Sequence, residues 1–414
     1  MHDGFGVHAD TLGRLVDPAL ALIDIPTQEQ SVTEMLCDAL HSVRMHLGMD
    51  VAFVAEFAGG LRIFRFVDGN DESATIRPGD SDPLCDSYCE RVLDGRLPQL
   101  IPDTSKLPAA VALPITAALS IGAYISVPIR FSDGQLYGTM CCFSSHPDET
   151  LNDRDLGTLR VFADFSGRLL EVQAKRERDQ ESKRNRIHGV LSERLYRVVY
   201  QPIVDVLQNR VVGYEALARF PLDPQRTPDL WFDEAGQVGL QSELEMVLIE
   251  EALKGLAHIG DAYLSVNVSP ETILTGAVQA LLAGRPLDRL MLEVTEHTSV
   301  ADYESVLDAL APLRSRGLAL AVDDAGAGYA SFRHILKLKP DVIKLDGSLI
   351  RNIDSSCDCR ALASALIRFG QETGSKVIAE CVETQAELNI LRELQVSKVQ
   401  GYLLGRPMPL AAAS

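Results

Sequence analysis

Apolar and polar residues follow two different rhythms along this chain, and the change of rhythm near residue 197 predicts two domains. In the first part, residues 33–47 carry apolar side chains at helical spacing, while 51–57 and 61–67 alternate with the period of two that strands show. Gly59 and Gly60 lie between these two runs, so the pair predicts an antiparallel hairpin. Residues 88–93 read as a helix, and 123–130 and 136–143 as two more strands around Ser132, Asp133 and Gly134. A good N-cap then opens an amphipathic helix over 153–172. The unit predicted over residues 18–172 is α+β, with an antiparallel sheet flanked by helices.

Residues 171–186 read EVQAKRERDQESKRNR and are nearly all charged or polar, which places a helical linker over 173–196. Leu169 and Val172 at one end, with Ile187, Val190, Leu191 and Leu195 at the other, allow one long helix joining the domains. That helix is either solvated or paired with its copy in a homodimer.

Beyond residue 197 the rhythm becomes regular: a short apolar strand, a polar turn, an amphipathic helix. Strands are expected to end near Asp205, Glu215, Asn267, Glu293, Asp323, Lys344, Glu380 and Gln400, with helices over 242–256, 271–282, 303–316, 359–373 and 385–394. Eight strands alternating with helices over residues 197–414 predict a closed, mostly parallel β/α barrel with an irregular first strand.

Length and composition change this picture little: 414 residues suit two cores. The formal net charge of −19 argues against a general surface for nucleic-acid polymers, although a phosphate-bearing ligand remains able to bind through cations. No basic n-region with an apolar core stands at the N-terminus, and the uncharged run 107–129 is broken by Pro108, Pro114, Gly122 and Pro128. Neither export nor a membrane span is expected, and the location expected is cytoplasmic. The eight cysteines include no CxxC pair, so they read as reduced, partly buried residues rather than a zinc site.

The candidate chemistry lies at the strand ends. VVGYE ends at Glu215, LSVN at Asn267, LMLE at Glu293, LALAVD at Asp323 followed by Asp324, VIK at Lys344, VIAE at Glu380 and KVQ at Gln400. In a barrel the C-terminal ends of parallel strands converge on one mouth. Five carboxylates gathered there repel one another unless cations compensate them. An oxygen-only ligand set, with Asn267 and without His or Cys, favours Mg²⁺ or Mn²⁺, and adjacent Asp323 and Asp324 allow two ions. Lys344 is positioned to orient a water or neutralise developing charge. Spacing alone reaches a metal-dependent barrel enzyme acting on a phosphate or carbonyl substrate.

YQPIVDV at 200–206, GYEALAR at 213–219, VNVSP at 266–270, LEVTEH at 292–297, VDDAGAGYASF at 322–332, PDVIKLDGSLI at 340–350, VIAECVET at 377–384 and VQGYLLGRPM at 399–408 resemble the EAL domain, in order. The resemblance implies hydrolysis of cyclic di-GMP to linear pGpG in a modified barrel using two Mg²⁺ or Mn²⁺ ions; the alternative is a cyclic di-GMP receptor that does not cut. It implies that Glu215, Asn267, Glu293 and Asp323 hold one ion and that Asp323, Asp324 and Glu380 hold the other. Catalytic roles are implied for Glu215, Asp324, Lys344 and Glu380, and substrate binding for Gln201, Arg219 and Gln400. Glu296, Glu383 and Asp346 are implied to support the site from outside the ligand set. Ala325, Ala327 and Cys381 depart from the usual pattern, which has Phe, Thr and Gly there.

CDSYCERVLDGRLPQLIPDT at 85–104 and ISVPIRFSDGQLYGTMCCFS at 125–144 are similar to a GAF domain. This implies a sensory module with an unidentified ligand, acting in signal transduction. Cys85, Cys89, Cys141, Cys142 and His146 are its candidate redox or cofactor residues, against a reading of plain core packing.

Overall fold

The computed structural model describes residues 31–69, 76–222, 225–294, 302–326 and 329–410. The N-terminal stretch considered for export, the expected domain start at residue 18, Glu296 and Ala327 lie outside the described residues. The chain divides into two compact units, Met1–Arg178 and Asp179–Ser414. No helix among the described residues is long and apolar enough to cross a membrane.

In the first unit, helix Val32–Leu47 starts at a capping box between Ser31 and Glu34 and ends at Gly48, which takes the left-handed conformation that glycine adopts without cost. The strands are β1 (Val51–Ala58), β2 (Leu61–Gly69), β3 (Ser81–Pro83), β4 (Leu100–Ile101), β5 (Ala123–Arg130) and β6 (Leu136–Ser144). They form one antiparallel sheet in the order β3-β2-β1-β6-β5-β4. Alternation along the strands sorts their side chains between two cores. Ala52, Val54, Ile125 and Cys142 pack under Leu36, Leu40, Leu159 and Ala163 of the helices. Phe53, Tyr124, Cys141 and Phe143 pack on the other face with Tyr88, Cys89 and Val92. The run 107–129 folds as short helices Pro108–Val111 and Pro114–Ala118 followed by β5. The stretch expected as helix plus linker is one helix, Asp153–Ser192.

The second unit holds β7 (Arg197–Asp205), β8 (Arg210–Arg219), β9 (Tyr263–Val268), β10 (Leu290–Val294), β11 (Ala319–Ala325), β12 (Val342–Leu345), β13 (Lys376–Ala379) and β14 (Lys398–Val399). These eight strands close into a barrel in the order β10-β11-β12-β13-β14-β7-β8-β9. Contacts between helices and strands bury a continuous apolar shell that includes Leu264, Leu292, Leu320, Ile343 and Leu366.

The irregular first strand has a definite form: β7 runs antiparallel to both β8 and β14. Only residues 206–209 join β7 to β8, and a parallel crossover needs about a dozen. Asp205 therefore lies at the end of the barrel opposite the other expected strand ends, where it accepts from the Leu207 and Gln208 N–H groups at 3.0 Å each. The helix expected over 271–282 is two, Pro270–Leu274 and Ala277–Leu282, broken at Gly276 with φ +80°. Helices Pro228–Gln237, Tyr329–Leu338 and Gly347–Ile350 add to those expected.

Candidate active site

Strand parity and register deliver the expected side chains to one mouth. On β9, Ser265 and Asn267 are two residues apart and so share a face. Glu215 stands opposite Ser265, and Glu293 opposite Asn267. The Asn267 Nδ2 donates to Glu215 Oε1 at 3.1 Å, and the Ser265 hydroxyl donates to Glu293 Oε1. Reversed β7 brings Gln201 opposite Glu215. Gln400 Nε2 donates to Glu215 Oε2 at 2.6 Å and to Gln201 Oε1 at 3.1 Å, while Gln201 Nε2 donates to the Gly405 carbonyl at 3.2 Å.

Asp323 and Asp324 present a geometric difficulty, because successive residues of a strand point to opposite faces. The backbone resolves it. Pairing of β11 with β12 shifts register between Val322 and Ala325, and Asp324 takes a left-handed φ of +53°. The second carboxylate thereby turns to the same side as the first. Among the described residues two groups of acidic ligand atoms result, each within 4.8 Å of one another: Glu215, Glu293 and Asp323, and Asp323, Asp324 and Glu380.

Lys344 sits among them with no exposed surface. Its Nζ is 2.6 Å from Glu293 Oε2 and Glu380 Oε1, 3.1 Å from Asp323 Oδ1 and 3.5 Å from Glu215 Oε2. Burial opposes its charge, but Asp323, Glu215, Glu293 and Glu380 outweigh that and hold the ammonium well above its ordinary pKa. Burial raises Glu293 and Glu380 well above the usual carboxylate range and raises Asp323 too, their mutual repulsion adding to it. Glu215 goes the other way: burial opposes the charge, yet Lys344, Gln400 and Asn267 hold the carboxyl below its usual value.

These residues fit divalent cations. The ligand atoms are carboxylate oxygens with the Asn267 and Gln400 carboxamides beside them, the set that hard cations take. Gln400 Oε1 is also buried with no hydrogen-bond partner among the described residues, an acceptor left over beside Glu215.

Other expected residues lie further out. Arg219, at the end of β8, lines a cleft of about 620 Å³ with Arg197, Phe220, Leu222 and Arg226. Asp346 caps helix Gly347–Ile350 by accepting from the Ser348 N–H at 2.9 Å. Glu383 is exposed, and its N–H donates to Glu387. Neither acid belongs to the two ligand groups. Ser265 and Arg226 were missed from the sequence, although the inward period of LSVN already puts Ser265 on the face of Asn267.

Cys381 occupies a left-handed position, φ +53°, directly after Glu380, and its Sγ would lie 2.8 Å from a Cβ built on Gly347. A non-glycine residue there costs roughly 1 kcal/mol or more. Cys381→Gly is therefore expected to raise the unfolding free energy by about 0.5–1 kcal/mol, read from the denaturation midpoint of the second unit. An unchanged or lowered midpoint would contradict this account.

Comparison with known proteins follows the same lines. The EAL domain family model matches residues 184–407, and the GAF domain family model matches residues 31–170. The chain is 32% identical over 263 residues to the cyclic di-GMP phosphodiesterase NbdA of Pseudomonas aeruginosa, covering 60% of this chain and 33% of that protein. It is 33% identical over 215 residues to the probable cyclic di-GMP phosphodiesterase PdeA of Escherichia coli, covering 48% of this chain and 29% of that one. The solved structure of the phosphodiesterase MucR of P. aeruginosa, in complex with c-di-GMP, matches with a TM-score of 0.50 and 30% identity, over 55% of this chain and 98% of that chain. The chain spans about a third of the length of these curated relatives.

Proposed function

The chain belongs to the EAL domain family, and from that premise we propose that it hydrolyses cyclic di-GMP to linear pGpG with divalent metal. The observation that carries the reading is the convergence of Glu215, Glu293, Asp323 and Glu380 on buried Lys344, with Asp324 grouped beside Asp323 and Glu380. Five carboxylates against one ammonium leave four negative charges when all are ionised, the charge that two divalent cations balance.

Glu215, Asn267, Glu293 and Asp323 would hold one Mg²⁺ or Mn²⁺, and Asp323, Asp324 and Glu380 the other. The chemistry such ions supply when bound is Lewis-acid stabilisation of phosphate charge and acidification of the attacking water. Lys344, fixed by four carboxylates, keeps a positive charge beside the attack and orients the nucleophile. Gln201 and Gln400 hold Glu215 in place through linked amides. Arg219, at the end of the strand that carries Glu215, offers its guanidinium to a phosphate oxygen of the substrate. The product pGpG keeps a 5′-phosphate, so water oxygen joins phosphorus, the bond to the 3′ oxygen breaks, and that oxygen takes a proton.

The first unit, which matches the GAF domain, is assigned a regulatory role toward this reaction, and a homodimer is the expected assembly. The test is turnover by the full chain with Mg²⁺ or Mn²⁺, followed by chromatography of the nucleotides. Cyclic di-GMP is expected to become pGpG, and a chelator is expected to stop it. Binding in calcium with no cleavage on adding magnesium or manganese would establish the receptor reading instead.

A further inference from the structure

Two cysteines in the first unit carry an arrangement that apolar packing does not require. Cys89, on helix Tyr88–Leu93, and Cys141, on β6, are fully buried with their Sγ atoms 3.7 Å apart. Around them stands polar machinery in an otherwise apolar core. Ser126 is the cross-strand partner of Cys141, and its hydroxyl lies 3.1 Å from that sulfur. The Tyr124 hydroxyl donates to Cys141 Sγ at 3.1 Å, and the Cys141 thiol donates to Thr139 Oγ1 at 3.3 Å. Ser126 and Thr139 have no exposed surface.

Arg62 supplies the charge. It lies on the inner face of β2, 2% exposed, with its guanidinium against the Phe64 ring at 4.6 Å. Register pairs it with Asp82 of β3, which accepts from Nε at 2.9 Å and from Nη2. The remaining nitrogen, Nη1, donates to Cys89 Sγ at 3.5 Å. A cation aimed at Cys89 Sγ favours its thiolate, the nucleophilic form. Burial opposes ionisation of Cys89, but Cys141, Arg62 and Thr139 together hold its thiol well below the ordinary value. Cys142, the next residue, is equally buried on the opposite face, and burial pushes its thiol up.

We infer that Cys89 and Cys141 form a redox couple, a dithiol that hydrogen peroxide converts to a disulfide. The Cys89 thiolate attacks one peroxide oxygen; the O–O bond breaks, hydroxide leaves and takes up a proton as water, and Cys89 becomes a sulfenic acid. The Cys141 sulfur then displaces that hydroxyl; its thiol proton and the hydroxyl leave as a second water, and the S–S bond forms. Each sulfur loses one electron and the two peroxide oxygens gain both. The sulfurs have to close from 3.7 Å to about 2 Å. Complete burial restricts the oxidant to one about as small as water, which excludes bulky disulfides. The inference is independent of the phosphodiesterase reading.

The test treats the full, reduced chain with a small excess of hydrogen peroxide, caps the remaining thiols and maps the peptides by mass spectrometry. A Cys89–Cys141 linked peptide is expected, reversible by dithiothreitol, with Cys142 losing its thiol at least about tenfold more slowly than Cys89. In Cys141→Ser, Cys89 is expected to accumulate as sulfenic acid trapped by dimedone. In Cys89→Ser, Cys141 is expected to stay reduced. Oxidation confined to the exposed cysteines, or Cys142 reacting as fast as Cys89, would overturn the inference. Because the linked peptide is read in the unsubstituted chain, the result stands even if a variant fails to fold.

Discussion

Asp323→Asn is expected to lower cyclic di-GMP turnover by at least about a thousandfold, at the upper end of what removing one preorganised electrostatic group costs. The reason is its place in the geometry. Asp323 belongs to both groups of ligand atoms, whereas Glu215 and Glu293 belong to one and Asp324 and Glu380 to the other. On the proposed two-ion reading, its loss weakens both cation positions at once. Asparagine has nearly the same shape, and its carbonyl oxygen can still accept from the Asp324 N–H as Asp323 Oδ1 does at 3.0 Å, so the turn in β11 is retained. Glu380→Gln touches a single position and is expected to cost about a hundredfold. Calorimetric titration with Mn²⁺ gives the second readout: Glu380→Gln should lose one of two binding events, and Asp323→Asn both. An Asp323→Asn enzyme that keeps a tenth of wild-type turnover would remove the shared ligand from the proposal.

Most of this site was legible in the sequence for a simple reason. An apolar run that stops at Glu215, Glu293 or Glu380 shows both where a strand ends and what its end presents, and barrel closure does the rest. What escaped depends on backbone detail that side-chain patterns do not encode. The reversal of β7 follows from the brevity of the turn after Asp205, which a pattern of apolar residues blurs. Asp324 faces the site only because its φ is +53°, and nothing in the letters DD announces a left-handed residue. The position of Cys381 is similar: resemblance marked glycine as usual there, and the positive φ shows why. Arg62 lies in LRIFRFV, where a strand reading places alternate residues inward without saying that an arginine takes the inner face. Its burial requires Asp82 and Cys89, partners that only the assembled sheet and its packed helix bring near.

Lys344→Met is expected to destabilise the second unit by about 3–5 kcal/mol in the presence of a chelator, the cost of removing one partner from a buried ion pair. Methionine fills most of the lysine volume and suits the apolar walls, so the loss is electrostatic rather than a cavity effect. Four carboxylates that now face Lys344 Nζ within 3.5 Å would face one another without a counter-charge. Saturating Mg²⁺ is expected to recover part of the loss, because cations bound only by the folded barrel supply the missing charge and add their binding free energy to its stability. Trp231 is the only tryptophan of the chain and is buried in the second unit, so its fluorescence during urea unfolding reports on the barrel alone. A variant within about 1 kcal/mol of wild type under chelation would mean that the carboxylates carry protons and need no cation. A full loss that Mg²⁺ leaves untouched would mean that Lys344 holds the fold and that the acidic cluster does not bind metal.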